Sequence, residues 1–177
     1  KVNPEFGLRV HPRRYALENK KIDYRYYGCI VDELLKSCEQ NIILLGVPGA
    51  GKSYSMQRAA NYFAKQLKEE CIKEKVNLIN LTIPIYIDLK QYNGDLYVMI
   101  EENFSKMISV NMLLTNCKCK LFLDSFNEMP KEYWENAKYK KDFEKTLKKI
   151  RNVSVVIGSR SMDGLTDWNY EQYLLDE

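Results

Sequence analysis

Eight residues of the chain, Gly46 to Ser53, have the types and spacing needed to hold a phosphate group. They read GVPGAGKS and fit the pattern G-x-x-x-x-G-K-[ST] at every required position. Glycines let the backbone N–H groups of such a loop converge on phosphate oxygens, because no side chain intervenes. The pattern therefore predicts that Lys52 reaches the β and γ phosphates of a nucleotide and that the Ser53 hydroxyl ligates Mg²⁺.

The elements on either side of this loop suit the same chemistry. Residues 41–46, NIILLG, form a compact apolar run typical of a strand that is buried on both faces. Residues 52–75 keep a helical period without Pro or Gly, and the N-terminus of such a helix adds a favourable dipole for an anion. The predicted nucleotide-binding residues are Gly46, Val47, Pro48, Gly49, Ala50, Gly51, Lys52, Ser53 and Tyr54.

A second group of polar residues follows a later apolar run. In KLFLDSFNE, residues 120–128, Asp124 comes after four mainly apolar residues and is expected at the carboxyl end of a strand, where open α/β sheets bind ligands. A bound triphosphate needs a carboxylate for its metal ion and another group to orient the attacking water. We expect Asp124 to hold Mg²⁺ together with Ser53, and Glu128 to be a catalytic residue. The alternative for Glu128 is an ordinary surface carboxylate.

Strand and helix patterns alternate along the chain. Strands are predicted at 41–46, 81–89, 120–126 and 153–160, with the beginning of a fifth at 171–177, and helices at 27–38, 52–75, 95–109 and 131–150. Such alternation favours an α/β fold, with three layers, a mostly parallel sheet and helices on both faces. Pro84 favours an edge position for the strand at 81–89, or a place at its end.

Composition indicates a single domain and argues against several kinds of site. The chain has 177 residues, of which 45% are hydrophobic and 29% charged, and its net charge of +3 is below what marks a nucleic-acid domain. Its five cysteines show no C-x-x-C spacing, and the single histidine, His11, argues against His-based triads and multi-His metal centres. No apolar run is long enough to cross a bilayer, so we expect a cytoplasmic protein without a membrane partner.

Together these features resemble the NACHT group of STAND signalling NTPases, which are relatives of the AAA+ ATPases. The resemblance covers about residues 26–170. It rests on an apolar strand, an Asp, a small residue, and an acidic pair three and four positions beyond the Asp, which here reads Asp124, Ser125, Phe126, Asn127, Glu128. In addition, IPIYIDL at 83–89 resembles the second strand of the group, and VVIGSR at 155–160 resembles its sensor strand.

The resemblance implies a P-loop NTPase core that binds ATP or ADP with Mg²⁺, hydrolyses ATP slowly and changes conformation with the nucleotide. Arg160 would act in catalysis by sensing the γ phosphate, and a plain strand-end arginine is the alternative. Asn127 stands where the group commonly has Asp, which argues against fast hydrolysis. Tyr26 and Tyr27 would contact adenine, although Cys29 replaces the Arg of the related segment and core packing explains them equally well.

The resemblance also predicts how the chain is organised. We expect a leader and a short helix at 1–40 and the NTPase core at 41–177, without the helical and winged-helix regions that follow in the group. Because the chain begins with Lys1 and not with Met, we expect a piece of a longer signalling or defence protein. The expected partners are an adenine nucleotide, the other domains of that protein, and further copies of the chain in an oligomer formed on activation.

Other classes of P-loop protein fit less well. An AAA+-like DNA-handling ATPase, such as a helicase loader or a transposition partner, would share the sheet, and the basic segment 131–151 carries interleaved Tyr133, Trp134 and Tyr139. A helix with one solvated face is the simpler explanation of that segment. A small-molecule kinase usually adds an arginine-rich lid, which is not found. A GTPase usually carries Asn-Lys-x-Asp late in the chain, whereas NKKID at 19–23 misfits that pattern and precedes the loop.

Overall fold

A computed structural model describes residues 9–12, 29–104, 109–135 and 137–175. The strands in these residues are β1 (Arg9–Pro12), β2 (Cys29–Ile30), β3 (Ile42–Leu45), β4 (Thr82–Asp88), β5 (Lys118–Asp124), β6 (Val153–Ser159) and β7 (Glu171–Leu175). The helices are α1 (Val31–Ser37), α2 (Lys52–Cys71), α3 (Leu96–Glu101), α4 (Val110–Asn116), α5 (Lys131–Trp134) and α6 (Lys138–Leu147). Short 3-10 turns follow β4 at Leu89–Gln91 and β5 at Phe126–Glu128.

The strands form one sheet in the order β2-β1-β7-β3-β6-β5-β4. Strands β3 to β7 run parallel, whereas β1 is antiparallel to both β7 and β2. The predicted α/β fold with a mostly parallel sheet is confirmed. Strand β4 lies at the edge of the sheet, where Pro84 deprives no second neighbour of a ladder hydrogen bond. Strands β1 and β2 come from the segment 1–40 and extend the opposite edge.

Helices cover both faces of this sheet. Helices α1 and α2 lie on one face, in a core that includes Ile42 and Phe122. Helices α3, α4 and α6 lie on the other face, in a core that includes Ile43 and Leu123. Successive strand residues point to opposite faces, so buried runs such as IILL serve both cores. No helix in the described part of the chain is both long and apolar enough to cross a membrane.

Connections leave the carboxyl ends of the neighbouring strands β3 and β6 in opposite directions. From β3 the chain passes through α2 to β4 at one edge, and from β6 it passes to β7 on the far side of β3. Diverging connections open a crevice at the carboxyl ends of such strands, and open α/β sheets bind ligands there. The loop 46–53 follows β3 and therefore lies at this crevice.

The predicted helices differ in extent from those in the structure. The helix predicted at 27–38 begins only at Val31, because Cys29–Ile30 form strand β2, and the helix predicted at 52–75 ends at Cys71. The helix predicted at 95–109 is shorter, because α3 ends at Glu101, and α4 begins after it as a separate helix that was not predicted. The helix predicted at 131–150 is divided into α5 and α6. Ala137, directly before α6, has a left-handed backbone conformation with φ of 48°, which interrupts the helical path.

Candidate nucleotide-binding site

The loop between β3 and α2 has the backbone geometry that the glycine pattern predicts. Gly49 and Gly51 have φ angles of 85° and 94°, in a region that disfavours residues with a Cβ atom. Because α2 begins at Lys52, directly after Gly51, the N–H groups of its first turn have no partners within the helix. Gly46 instead lies where packing is close, since a Cβ atom there would lie 3.3 Å from the Cβ of Leu175.

Lys52 bends back over this loop. Its Nζ donates hydrogen bonds to the backbone oxygens of Gly46, at 2.5 Å, and Val47, at 3.0 Å. Burial lowers the pKa of Lys52 below the ordinary value of 10.5, and the nearby Asp124 carboxylate offsets part of this shift. The acceptors of the Lys52 ammonium group are thus two neutral carbonyl oxygens. A phosphate oxygen is charged and would be a stronger acceptor than either of them.

A cleft of about 310 Å³ lies over the loop and the carboxyl ends of β5 and β6. All the predicted site residues line it except Gly46, Val47 and Ala50, and Ser125, Asn127 and Gly158 line it as well. A larger cleft of about 500 Å³ lies between α6 and Trp168 and contains none of the predicted site residues. The fold thus brings residues from two strand ends and the glycine loop around one space.

Asp124 is the last residue of β5 and is only 3% exposed. Its Oδ2 accepts a hydrogen bond from the Tyr86 hydroxyl at 2.6 Å, and its Oδ1 accepts one from the backbone N–H of Ser125 at 2.8 Å. The Tyr86 hydroxyl in turn accepts a hydrogen bond from Gln57 of α2 at 3.3 Å. Burial, together with the Asp124 carboxylate, raises the pKa of Tyr86, so its hydroxyl stays protonated and donates.

Gly158 in β6 makes room for this carboxylate. A Cβ atom at position 158 would lie 2.8 Å from Oδ1 of Asp124 and 2.9 Å from Sδ of Met56. Both distances are shorter than van der Waals contact. The absence of a side chain at this strand position therefore leaves room for both the Asp124 carboxylate and the fully buried Met56 of α2.

The turn after β5 carries Asn127 and Glu128 to the cleft. It begins at Ser125, whose φ of 60° is left-handed and whose backbone oxygen accepts a hydrogen bond from the N–H of Glu128 at 2.8 Å. Phe126 is fully buried, and its ring meets that of Trp134 edge to face with 5.1 Å between centroids. The turn is thus anchored by an aromatic side chain while its polar residues line the cleft.

Glu128 is paired with cations from the two neighbouring strand ends. Its Oε1 lies 2.7 Å from Nη2 of Arg160, and its Oε2 lies 3.2 Å from Nζ of Lys90. The backbone N–H of Arg160 also donates a hydrogen bond to Oδ1 of Asn127 at 3.0 Å. These contacts join the carboxyl ends of β4, β5 and β6, and each oxygen of Glu128 takes part in one ion pair.

The strand order and the loop together decide the fold class. The glycine loop leads from a central parallel strand into a helix, Asp124 ends a strand two places away, and β6 lies between these two strands. The chain has a P-loop NTPase fold. The individual roles of Lys52, Ser53, Asp124, Glu128 and Arg160 stay predictions.

Comparison with known proteins finds only distant similarity. No protein-family model and no curated protein matches the chain. It is similar to the crystal structure of Cdc6p from Pyrobaculum aerophilum, with 14% identity, a TM-score of 0.40, and 78% of this chain and 38% of that chain covered. It is also similar to PCH-2 from C. elegans, with 13% identity, a TM-score of 0.35 and coverages of 81% and 39%. The chain spans less than two fifths of either structure. The fold class rests on strand order and loop geometry.

The oxygen atoms beside the P-loop fit a magnesium ion. The Ser53 hydroxyl and the Asp124 carboxylate line the same cleft, and Mg²⁺ prefers oxygen ligands. Nucleotide-bound Mg²⁺ usually takes one or two ligands from the protein and the remainder from phosphates and water. Among the described residues, no group of three or more His, Cys, Asp or Glu side chains is placed to hold a metal ion.

Three residues of the P-loop site were missed by the sequence analysis, namely Tyr86, Lys90 and Gly158. An isolated glycine within a strand pattern indicates close approach of another group, and this signal could have identified Gly158. Tyr86 and Lys90 gave no comparable signal, because their partners Asp124 and Glu128 belong to a different strand and its turn.

The aromatic residues of the basic segment 131–151 lie within the fold. Tyr139 is 1% exposed, and its ring lies parallel to that of Trp134 with 5.9 Å between centroids. The Tyr133 hydroxyl donates a hydrogen bond to the backbone oxygen of Asn93 at 2.9 Å. These rings pack within the protein, so the DNA-handling alternative gains no support from them. Tyr26 and Tyr27, the candidate adenine contacts, lie outside the described residues.

Proposed function

We propose that the chain is an ATP- and ADP-binding, slowly ATP-hydrolysing switch domain. The observation that carries the proposal is that the glycine loop with Lys52 and Ser53, the Asp124 carboxylate, and the ion pair of Glu128 with Arg160 line the same cleft. These groups match the requirements of a bound nucleoside triphosphate, namely phosphate binding, metal binding, orientation of water, and stabilisation of the γ phosphate.

In this proposal the P-loop holds the nucleotide by its phosphates. The free N–H groups at the start of α2 bind phosphate oxygens, and Lys52 exchanges its two carbonyl partners for the β and γ phosphates. Ser53 and Asp124 would hold Mg²⁺ together with the phosphates. The ion would neutralise phosphate charge.

Slow hydrolysis follows from the contacts of Glu128. A carboxylate that orients water must turn an oxygen toward that water, and the ion pairs with Arg160 and Lys90 hold both oxygens of Glu128 in their present positions. Any movement of Glu128 toward the water would weaken at least one of these ion pairs. Asn127, which bonds to the backbone of Arg160, adds no further negative charge to the metal site.

The same contacts supply the switch. A γ phosphate would compete with Glu128 for Arg160 and so loosen the turn after β5, and its loss would restore the ion pair. We further propose a NACHT-type STAND protein with a role in signalling or defence, on the basis of the Asp124–Glu128 pattern. Other domains of the full-length protein, and an oligomer formed on activation, would read the nucleotide state.

Calorimetric titration of the 177-residue chain with ATP, ADP and GTP, with and without Mg²⁺, tests the proposal. We expect binding of both adenine nucleotides and a clear preference over GTP. Lys52→Ala should abolish binding, because the phosphates lose the cation of the P-loop. Lys68→Ala, an exposed lysine of the same helix, is the matched control and should bind as the wild type does. Absence of nucleotide binding by the wild-type chain would overturn the proposal.

A further inference from the structure

We infer that Tyr86 is a positioning residue for Asp124 and thereby determines how strongly nucleotide binding depends on Mg²⁺. The inference rests on the proposed function, because it concerns the same P-loop site. It is carried by the hydrogen bonds around the Asp124 carboxylate and by the strand register that makes them possible.

Strand register brings Tyr86 within reach of Asp124. Along β4 and β5, Asp88 is paired with Asp124 and Tyr86 is paired with Phe122. Tyr86, Phe122 and Asp124 share the face that carries α2, because residues two apart in a strand point the same way. A long side chain at position 86 can therefore span one pair further along the sheet, and the Tyr86 hydroxyl reaches Oδ2 of Asp124 at 2.6 Å.

The direction of this hydrogen bond is fixed by a second partner. Gln57 of α2 donates from Nε2 to the Tyr86 hydroxyl oxygen at 3.3 Å. The hydroxyl has one hydrogen to donate, and it donates that hydrogen to Oδ2 of Asp124 while it accepts from Gln57. Tyr86 thus links α2 and the edge strand β4 to the carboxylate at the end of β5.

The other oxygen of Asp124 is held independently. Oδ1 accepts a hydrogen bond from the N–H of Ser125 at 2.8 Å and lies in the space left by the missing side chain of Gly158. With a hydrogen bond at each oxygen, the carboxylate plane cannot rotate without breaking one of them. Each oxygen still has a further lone pair that can serve a metal ion or its bound water.

A fixed carboxylate matters more for the metal ion than for the phosphates. Mg²⁺ demands near-ideal octahedral geometry, so a carboxylate that rotates is a poorer ligand for it. Removing a hydrogen bond that orients a metal ligand typically lowers metal affinity by about 10- to 100-fold. The phosphates would be held mainly by the P-loop and Lys52. Loss of the Tyr86 hydroxyl should therefore weaken the Mg²⁺-dependent part of nucleotide binding and spare the remainder.

Tyr86→Phe tests this inference against a matched control, Tyr92→Phe. The Tyr92 hydroxyl donates the same kind of bond, to Oδ2 of Asp142 at 2.7 Å, and neither residue lines the cleft. Each variant keeps its aromatic ring and loses one hydrogen bond to a carboxylate, so both should have a lower Tm than the wild type. ATP affinity is measured by calorimetry in EDTA and over a series of free Mg²⁺ concentrations.

Mg²⁺ should raise the ATP affinity of both proteins. The Mg²⁺ concentration that gives half of this rise should be about 10-fold higher in Tyr86→Phe than in the wild type. The ATP affinity of Tyr86→Phe in EDTA should stay within about 2-fold of the wild-type value. Tyr92→Phe should match the wild type in both measurements. An unchanged Mg²⁺ requirement in Tyr86→Phe, or an equal shift in both variants, overturns the inference and leaves the proposed function standing. A wild-type chain that binds no ATP at any Mg²⁺ concentration overturns both.

Gln57→Ala provides a second variant in case Tyr86→Phe fails to fold. Gln57 is exposed on α2, and alanine is well tolerated in helices, so this change should leave the fold intact. Without Gln57 the Tyr86 hydroxyl is less firmly directed toward Asp124. We expect a smaller rise in the Mg²⁺ requirement, in the same direction as for Tyr86→Phe, and no rise would count against the inference.

Discussion

Glu128 and Arg160 are bound to each other at the cleft, with 2.7 Å between Oε1 and Nη2. The sequence predicts that the first residue orients water and that the second senses the γ phosphate, and the structure shows the two side chains bound to each other. The backbone hydrogen bond from Arg160 to Asn127 holds the same two segments together. In the proposed switch, the γ phosphate of ATP must break this ion pair.

Arg160→Ala is expected to reduce the preference of the site for ATP over ADP. Arg160 would exchange Glu128 for the γ phosphate, and ADP cannot offer that charge-assisted contact. We expect ATP affinity to fall about 10-fold while ADP affinity stays nearly unchanged, as measured by calorimetry. Lys90→Ala removes the other cation on Glu128 and should preserve the preference. Equal losses of ATP and ADP affinity in Arg160→Ala would contradict the assignment.

Glu128→Gln should keep nucleotide binding and lower ATP hydrolysis by about 100-fold, because an amide is a poor base for water. The stability of the fold should change by less than about 1 kcal/mol, since the two ion pairs of Glu128 are partly exposed. Phosphate release and urea unfolding measure the two effects. Glu132→Gln, an exposed carboxylate in α5, serves as the control. An unchanged hydrolysis rate in Glu128→Gln would show that another group orients the water.

Nucleotide affinity should fall with rising pH before the ordinary lysine pKa of 10.5 is reached. Burial lowers the pKa of Lys52, and phosphates bind its protonated form, so affinity is full below that pKa and is lost as pH rises through it. ADP affinity measured from about pH 7 to about pH 10 checks this, with Lys68→Ala expected to follow the wild-type profile.

The free energy of unfolding of the nucleotide-free protein should rise with pH, whereas nucleotide affinity falls. Between the lowered pKa of Lys52 and 10.5, the unfolded chain holds a proton that the folded chain has released. The contribution of Lys52 to the free energy of unfolding therefore increases with pH in this window.

ADP affinity that is constant up to about pH 10 would contradict the affinity prediction. It would show that Lys52 keeps an ordinary pKa or does not contact the phosphates.

Gly158→Ala should destabilise the fold and impair the metal site together. The new Cβ atom would lie 2.8 Å from Oδ1 of Asp124 and 2.9 Å from Sδ of Met56, and Asp124 is held by two hydrogen bonds. Overpacking of this kind costs about 1 to 3 kcal/mol, which urea unfolding would measure. Ser154→Ala, on the same face of β6, should change the free energy of unfolding by less than about 0.5 kcal/mol. Wild-type stability and Mg²⁺ dependence in Gly158→Ala would contradict this account.

The features that could be predicted from the sequence are those whose pattern lies within one short segment of the chain. The glycine loop, the apolar runs of the parallel strands and the edge position indicated by Pro84 are examples, and the fold class that follows from them is confirmed. The cleft also gathers Asp124, Glu128 and Arg160 beside the P-loop, as expected for residues that follow the carboxyl ends of parallel strands.

The unpredicted part of the site depends on how strands are paired. Tyr86 meets Asp124 only because β4 and β5 are neighbours in one particular register, and Lys90 meets Glu128 for the same reason. Periodicity within a strand identifies its faces but not its neighbours. The division of the predicted helix 131–150 was missed likewise, because the left-handed Ala137 carries none of the usual signals of a break.

Strand β5 is buried along its whole length except at Lys118. In a strand that is mostly apolar on both faces, hydrophobicity alone does not separate the native alignment from one displaced by a single residue. The polar residues on the α2 face do separate them, because Lys120 bonds to the backbone oxygen of Cys38 and Asp124 bonds to Tyr86. A displacement by one residue would turn both charges into the aromatic core of the opposite face. Fidelity of sheet assembly and the chemistry of the cleft therefore depend on the same carboxylate.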